Sequence, residues 1–149
     1  MYKMKWIDNK LEELKKQGWT AKVVKNPLVV LRESGPSYCK GVSDQDQREN
    51  IISLARCEDQ ADYDFTIAHE FVHSLYSKKF YKSDDGRASD WDEFQIDIRT
   101  RWIMERFPSF VDQIKEKFNL RDYKELKGVE TWWYNNIYIN NRHSQHSQP

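Results

Sequence analysis

Residues 66–75 read TIAHEFVHSL. The four apolar residues from Ala68 to Leu75 recur at i, i+3, i+4 and i+7, which is the spacing of one face of an α-helix. His69 and His73 stand four residues apart, so on a helix one imidazole lies above the other. The pattern predicts a helix over about 64–77 whose apolar face joins the core and whose other face carries the two histidines.

His69, Glu70 and His73 form the H-E-x-x-H signature of zinc metallohydrolases. Both imidazoles can direct a ring nitrogen at one ion, and Glu70 lies beside them, close enough to hold a water molecule on that ion. The alternative is a chance match in which the histidines are ordinary surface or core residues. Two of the four histidines of the chain lie in this apolar segment, which favours zinc ligands at His69 and His73 and a catalytic Glu70.

Length and charge restrict the class of protein. A chain of 149 residues suits one domain. The 24 basic residues equal the 24 acidic ones, which argues against direct binding to nucleic acid or to an anionic membrane. No apolar run is long enough for a signal peptide or a membrane span, so we expect a cytoplasmic protein. Cys39 and Cys57 are then expected to be free thiols.

The remaining segments predict an α+β fold, with a small antiparallel sheet packed on the motif helix and a mostly helical C-terminal part. Asp62 or Asp64 is the predicted N-cap of the motif helix. The other predicted elements are a helix over 6–17, strands over 19–25, 28–32, 38–42 and 51–56, a helix from Trp91 that Pro108 ends, and a short helix over 110–118.

A catalytic zinc site needs three protein ligands and an open position, so a third ligand must follow the two histidines. The next helix offers Asp90, Asp92, Glu93 and Asp97. Carboxylates in the first turn of a helix are also favoured by the helix dipole without any metal. Asp97 is harder to explain in that way, because it lies a full turn inside the helix.

Glu93 and Asp97 stand four residues apart, and this spacing resembles the thermolysin-like arrangement. In that arrangement a glutamate ligand on a second helix is followed four residues later by an aspartate that hydrogen-bonds a ligand histidine. The resemblance implies that Glu93 is the third zinc ligand and that Asp97 orients one imidazole. Asp92 and Asp90 are the alternatives to Glu93.

Residues 65–75, in a small chain with a helix and a short sheet before them and an acidic helix after them, resemble the ImmA/IrrE-type metallopeptidases. Those proteins are gluzincins that cut helix-turn-helix repressors. The resemblance extends in layout over about residues 1–107, and the acidic helix keeps only the general plan of the family pattern. It implies a single zincin-like metallopeptidase domain over 1–142, with a C-terminal subregion over about 108–142 and a disordered tail over 143–149.

The function implied is a Zn²⁺-dependent endopeptidase that cleaves a protein or peptide substrate, with a phage-type repressor among the candidates. Substrate is expected along an edge strand, for which 51–56 is the candidate. Tyr76, Tyr81 or a C-terminal tyrosine is expected to stabilise the oxyanion. One alternative is a catalytically silent regulatory module that grips a partner through the aromatic residues 132–134. Another is a structural protein of a mobile element, in which the motif is fortuitous.

Overall fold

The computed structural model of the chain describes residues 2–32, 35–76 and 90–133. Helices flank a strand-rich segment, and the expected mixed α+β class is confirmed. The predicted tail over 143–149 and residues 134–142 of the predicted domain lie outside the described residues.

The elements are α1 (Tyr2–Lys16), β1 (Thr20–Val24), β2 (Leu28–Arg32), β3 (Gly35–Cys39), β4 (Gly41–Asp44), β5 (Glu49–Ser53), α2 (Gln60–Tyr76), α3 (Asp90–Arg106), α4 (Phe110–Phe118) and α5 (Tyr123–Trp133).

The strands form a three-stranded sheet in the order β1, β5, β4 and a separate antiparallel hairpin of β2 and β3. β5 is the central strand: it pairs antiparallel with β4 and parallel with β1. The sheet is therefore mixed, whereas an antiparallel sheet was expected. Both edges of β5 are paired, and residues 54–56 form a 3₁₀ turn. The prediction that a substrate lies along 51–56 is therefore wrong, and within the described residues β4 is the edge strand next to α2.

α2 lies at the centre of the molecule and contacts β4, β5 and the other four helices. The predicted apolar face is confirmed, since Ala68, Phe71 and Val72 are fully buried. Phe71 packs edge-to-face on Phe118 of α4, with ring centroids 4.7 Å apart. The core around this face contains Ile7, Leu11, Leu14, Trp19, Ile52, Leu54, Tyr63, Ile67, Ile96, Ile103, Phe110, Val111 and Ile114.

α2 begins four residues earlier than predicted. Its N-cap is Asp59, whose Oδ1 accepts a hydrogen bond of 2.8 Å from the backbone N–H of Asp62. Asp62 in turn accepts a hydrogen bond of 2.9 Å from the N–H of Glu58. These paired contacts satisfy two amides at the helix start, in the manner of a capping box. The prediction of Asp62 or Asp64 as the cap is wrong because both lie inside the first helical turns.

α3 has apolar residues on two faces, and the structure buries only one of them. Ile96 and Ile103 point into the core. Phe94, Ile98 and Trp102 are each about half exposed. The two series have similar helical spacing, so periodicity alone does not distinguish the core face from the outer one. No helix in the described ranges is both long and apolar enough to cross a membrane.

The two phenylalanines of α2 and α3 give a direct test of the core assignment. Phe71→Ala should lower the free energy of unfolding by about 3–5 kcal/mol, because it leaves a cavity beneath the motif helix. Phe94→Ala, at a position that is 54% exposed, should change it by less than about 1 kcal/mol. Urea unfolding followed by circular dichroism measures both. Equal losses in the two variants would contradict the assignment of the core face.

Candidate metal centre

Three side chains from α2 and α3 converge at one point beside the sheet. The Nε2 atom of His69 lies 2.9 Å from Oε2 of Glu93, and the Nε2 atom of His73 lies 3.1 Å from Oε1 of the same carboxylate. The potential ligand atoms of His69, His73 and Glu93 lie within 4.8 Å of one another. The two histidines meet in this way because residues four apart share a face of α2, and that face is turned towards α3.

Asp97 lies one helical turn after Glu93 and faces the other nitrogen of His69. Its Oδ1 is 3.0 Å from the Nδ1 atom of His69. This is hydrogen-bonding distance, but the orientation of the two groups does not yet meet hydrogen-bond geometry, and Nδ1 is buried without an aligned partner. The structure therefore brings Asp97 to the place where an orienting residue is expected.

The two alternatives to Glu93 differ in position. Asp92 is buried, with 3% of its surface exposed, and its carboxylate does not belong to the group formed by His69, His73 and Glu93. Asp90 is the first residue of α3, and its side chain lies outside the described set. Among the candidates with described side chains, the geometry favours Glu93 as the third ligand.

Glu70 is almost completely buried between α2 and the sheet, with 6% of its surface exposed. Burial raises the pKa of its carboxyl group, although the nearby His73 and His69 partly oppose this shift. A carboxyl group with a raised pKa releases a bound proton less readily than an exposed one. Glu70 therefore has the character of a group that can accept a proton and hold it during a reaction.

The ionisable groups of His69 and Glu93 shift each other's pKa. Burial alone would lower the pKa of His69, but the hydrogen bond with Glu93 and the charges of Glu70, Glu93 and Asp97 raise it overall. Burial would raise the pKa of Glu93, but its hydrogen bonds with His69 and His73 hold that pKa well below its usual range. Contact between Glu93 and His69 thus favours the charged form of each.

The donor set fits a zinc ion. Two imidazoles and one carboxylate are the ligands of a known class of catalytic zinc sites. Tetrahedral coordination at about 2.0–2.1 Å separates two ligand atoms by roughly 3.3 Å, and the potential ligand atoms of these three residues lie within 4.8 Å of one another, so the side chains would draw closer together to hold an ion.

A polar network that was not predicted holds the end of α2 on the sheet. Nδ2 of Asn50, a fully buried residue of β5, donates to Oγ of Ser74 at 2.8 Å. Ser74 donates in turn to the backbone carbonyl of Glu70 at 3.3 Å. The sequence carries no signal for this network, because it depends on how β5 crosses α2.

Lys40 and Asp62 link the start of β4 to the first turn of α2. Nζ of Lys40 donates to Oδ1 of Asp62 at 2.9 Å. Burial would raise the pKa of Asp62, but the N–H of Glu58 and the ammonium of Lys40 lower it overall. The spacing of Asp59 and Asp62 is a capping-box pattern that the sequence does show, whereas the contact with Lys40 depends on the tertiary structure.

The predicted oxyanion donors lie in different parts of the chain. Tyr76, at the end of α2, has the guanidinium of Arg99 4.7 Å from its ring centroid. The hydroxyl group of Tyr123 donates to the backbone carbonyl of Cys57 at 3.2 Å. Tyr81 and residues 134 and 138 lie outside the described residues. Cys39 and Cys57 are not joined by a disulfide bond, as expected, and Sγ of Cys39 donates to the carbonyl of Leu28 at 3.7 Å.

The contact between Lys40 and Asp62 predicts a pH-dependent stability. A carboxyl group whose pKa is lowered by folding stabilises the protein above its unfolded pKa of about 3.9, and the effect disappears as the pH falls through the folded value. Asp62→Asn should therefore cost roughly 1 kcal/mol at pH 7, a modest value because Lys40 is partly exposed. The cost should shrink as the pH approaches 3.

Urea unfolding between pH 7 and pH 3 measures this difference. Glu116→Gln, at an exposed position of α4, is the matched control and should change stability by less than about 0.5 kcal/mol at every pH. A cost of Asp62→Asn that does not vary with pH would contradict the assignment.

The metal centre predicts a graded loss of zinc affinity. Asp97→Asn should weaken binding by about 10–100-fold, since it alters only the support of an imidazole. Glu93→Gln should weaken binding more than Asp97→Asn does, because it replaces an anionic ligand by a neutral one. Competition with a chromophoric chelator measures both constants. Unchanged affinity in Glu93→Gln would rule out Glu93 as the third ligand.

Comparisons of the chain with protein-family models, with curated proteins and with solved structures found no significant match. The functional assignment therefore depends on the side chains of α2 and α3 themselves.

Proposed function

We propose that the protein is a zinc-dependent endopeptidase that cleaves a protein substrate. The observation that supports this most directly is the convergence of His69, His73 and Glu93 next to the buried Glu70. A purely structural role does not explain well why these three side chains meet, or why Glu70 is buried beside them. Buried charged groups reduce stability unless each finds a partner, and an apolar helix gains nothing from carrying three of them on one side.

The residues of the site have different roles in the proposed reaction. Zinc bound by His69, His73 and Glu93 would lower the pKa of a water molecule to about 7 and polarise the scissile carbonyl group. Glu70 acts as the general base: its carboxylate accepts a proton from the attacking water and passes that proton to the leaving amine. Asp97 keeps the imidazole of His69 in the orientation and tautomer that directs Nε2 at the metal.

β4 replaces residues 51–56 as the strand proposed to bind the substrate. The backbone N–H of Ser53 donates to the carbonyl of Lys40 at 2.7 Å. Lys40 therefore directs its backbone groups towards β5. In an antiparallel ladder alternate residues turn both backbone groups away from the partner strand. Gly41 and Ser43 therefore direct their N–H and C=O groups away from β5, where an extended peptide can pair with them.

The class of substrate follows from the resemblance to the ImmA/IrrE-type metallopeptidases. A helix-turn-helix repressor of the phage type is the first substrate to test, in particular one encoded beside the gene for this chain. An extended segment between two folded parts of such a protein has the free backbone groups that pairing with β4 requires.

The function is tested with zinc content and with cleavage of a complex peptide mixture. Protein prepared without chelators should contain one zinc per chain and should generate new peptide termini, identified by mass spectrometry, in a library made from a digested proteome. Glu70→Gln should retain the zinc and lose cleavage by about 10²–10⁴-fold, the usual contribution of a general base.

Two outcomes would contradict the proposal. Absence of zinc from protein prepared in this way would remove the metal centre. Bound zinc with equal, background-level cleavage by the wild type and Glu70→Gln would instead favour the catalytically silent binding module. Phe94→Ala, which changes an exposed residue on the outer face of α3, is the control for nonspecific effects of substitution.

A further inference from the structure

Gly41, the first residue of β4, lies directly against the side chain of Glu70. A methyl group on its Cα would come 2.8 Å from Oε2 of Glu70, 2.9 Å from Cγ of the same residue and 3.0 Å from Cγ2 of Thr66. Ordinary contacts between such atoms are about 3.5–4.0 Å. The strand therefore approaches the helix closely enough at this point that only a glycine fits without displacement.

Residue 41 must be a glycine because of the limited space around it, and its backbone conformation does not require one. Gly18 and Gly35 have positive φ angles of 92° and 109°, which side chains larger than hydrogen rarely adopt. Gly41 does not belong to that group. A residue with a side chain could adopt the backbone of residue 41, so the feature that requires glycine here is the contact with Glu70 and Thr66.

Neither partner in the contact can withdraw easily. Glu70 is almost fully buried, so its carboxylate has little room to turn away from β4. β4 is held on its other side by the ladder with β5 and at its start by the contact between Lys40 and Asp62. A side chain at residue 41 must therefore displace the carboxylate of Glu70 or separate the strand from α2.

We propose that Gly41 is a positioning residue, which sets where the carboxylate of Glu70 stands relative to His69, His73 and Glu93. This inference rests on the proposed function, because the position of Glu70 affects a reaction only if Glu70 is the base. The backbone groups of Gly41 that point away from β5 lie on the edge assigned to the substrate. Gly41 thus lies both on the strand edge assigned to the substrate and against the side chain of the proposed base, Glu70.

Gly41→Ala tests the inference through the kinetics of the zinc-loaded protein. The probe is the peptide that the wild type cleaves best in the library described above. We expect kcat to fall by about 10–100-fold, the effect of a displacement of roughly 1 Å in a catalytic group, while KM changes by less than about 3-fold. Zinc content should stay at the wild-type value, since the three atoms nearest to the added methyl group belong to Glu70 and Thr66, which are not ligands.

The melting temperature supplies a second readout that needs neither zinc nor a substrate. Gly41→Ala should lower the melting temperature of the full chain by about 3–10 °C, as expected for one extra carbon in a tightly packed site. In a Glu70→Ala background the same change should lower the melting temperature much less, because both crowded Glu70 atoms are gone and only the approach to Cγ2 of Thr66 remains. Residues in contact show coupling of this kind, whereas independent sites give effects that add.

Gly128→Ala is the matched control. Gly128 lies in α5, and among the described residues no atom outside its own helix backbone and chain neighbours lies within 4 Å of the place where a methyl group would stand. The same chemical change there should leave kcat unaltered and should shift the melting temperature equally in the wild-type and Glu70→Ala backgrounds.

A kcat of Gly41→Ala within about 3-fold of the wild type, with zinc bound, would overturn the inference. So would an equal loss of melting temperature in the wild-type and Glu70→Ala backgrounds. If the zinc-loaded wild type cleaves no peptide, the proposed function fails, and the melting temperatures alone then decide whether Gly41 positions Glu70.

Discussion

The packing of one face of α2 against the hydrophobic core is the constraint on which the rest of the structure depends. Ala68, Phe71 and Val72 can be buried only if the helix presents a single orientation to α4 and the sheet. That orientation directs His69 and His73 towards α3 and places Glu70 against β4. The geometry of the candidate metal centre is therefore a consequence of apolar burial, which is the largest favourable contribution to folding.

The polar side of α2 works against stability. Glu70 and His73 are buried polar groups, and each must find partners inside the protein to offset the loss of water. His73 shares the carboxylate of Glu93 with His69. Local conflicts of this kind, in which a helix suited to the core also carries buried ionisable groups, are concentrated at functional sites in natural proteins. The conflict itself thus supports the assignment of a function to this face.

The sequence predicted correctly those features that depend on the spacing of residues along a helix. The apolar face of α2, the bounds of α4 over 110–118 and the end of α3 before Pro108 follow from the period of 3.6 residues and from proline. The four residues of the candidate site, His69, His73, Glu93 and Asp97, also come together as their spacing suggested. In each of these cases the residues that interact lie on one helix or face each other across two.

The remaining features depend on contacts between distant segments. The parallel pairing of β1 with β5 brings residues about 29 positions apart into register, and no local pattern specifies it. The same holds for β4 as the edge strand and for Gly41 against Glu70. Two apolar series on α3 have the same period, so only the structure shows that Ile96 and Ile103 face the core.

The contact between α2 and α3 explains why the metal and the fold are expected to depend on each other. Outside the core, cation–π contacts join the two helices: Arg99 lies over Tyr76 and Arg101 lies over Phe65, with distances of 4.7 and 4.9 Å to the ring centroids. Such contacts contribute about 0.5–1 kcal/mol each at exposed sites. The bridge from Glu93 to His69 and His73 crosses the same boundary. Because His69 and His73 lie on α2 and Glu93 on α3, a metal that binds all three holds the helices together, and part of its binding free energy becomes folding free energy.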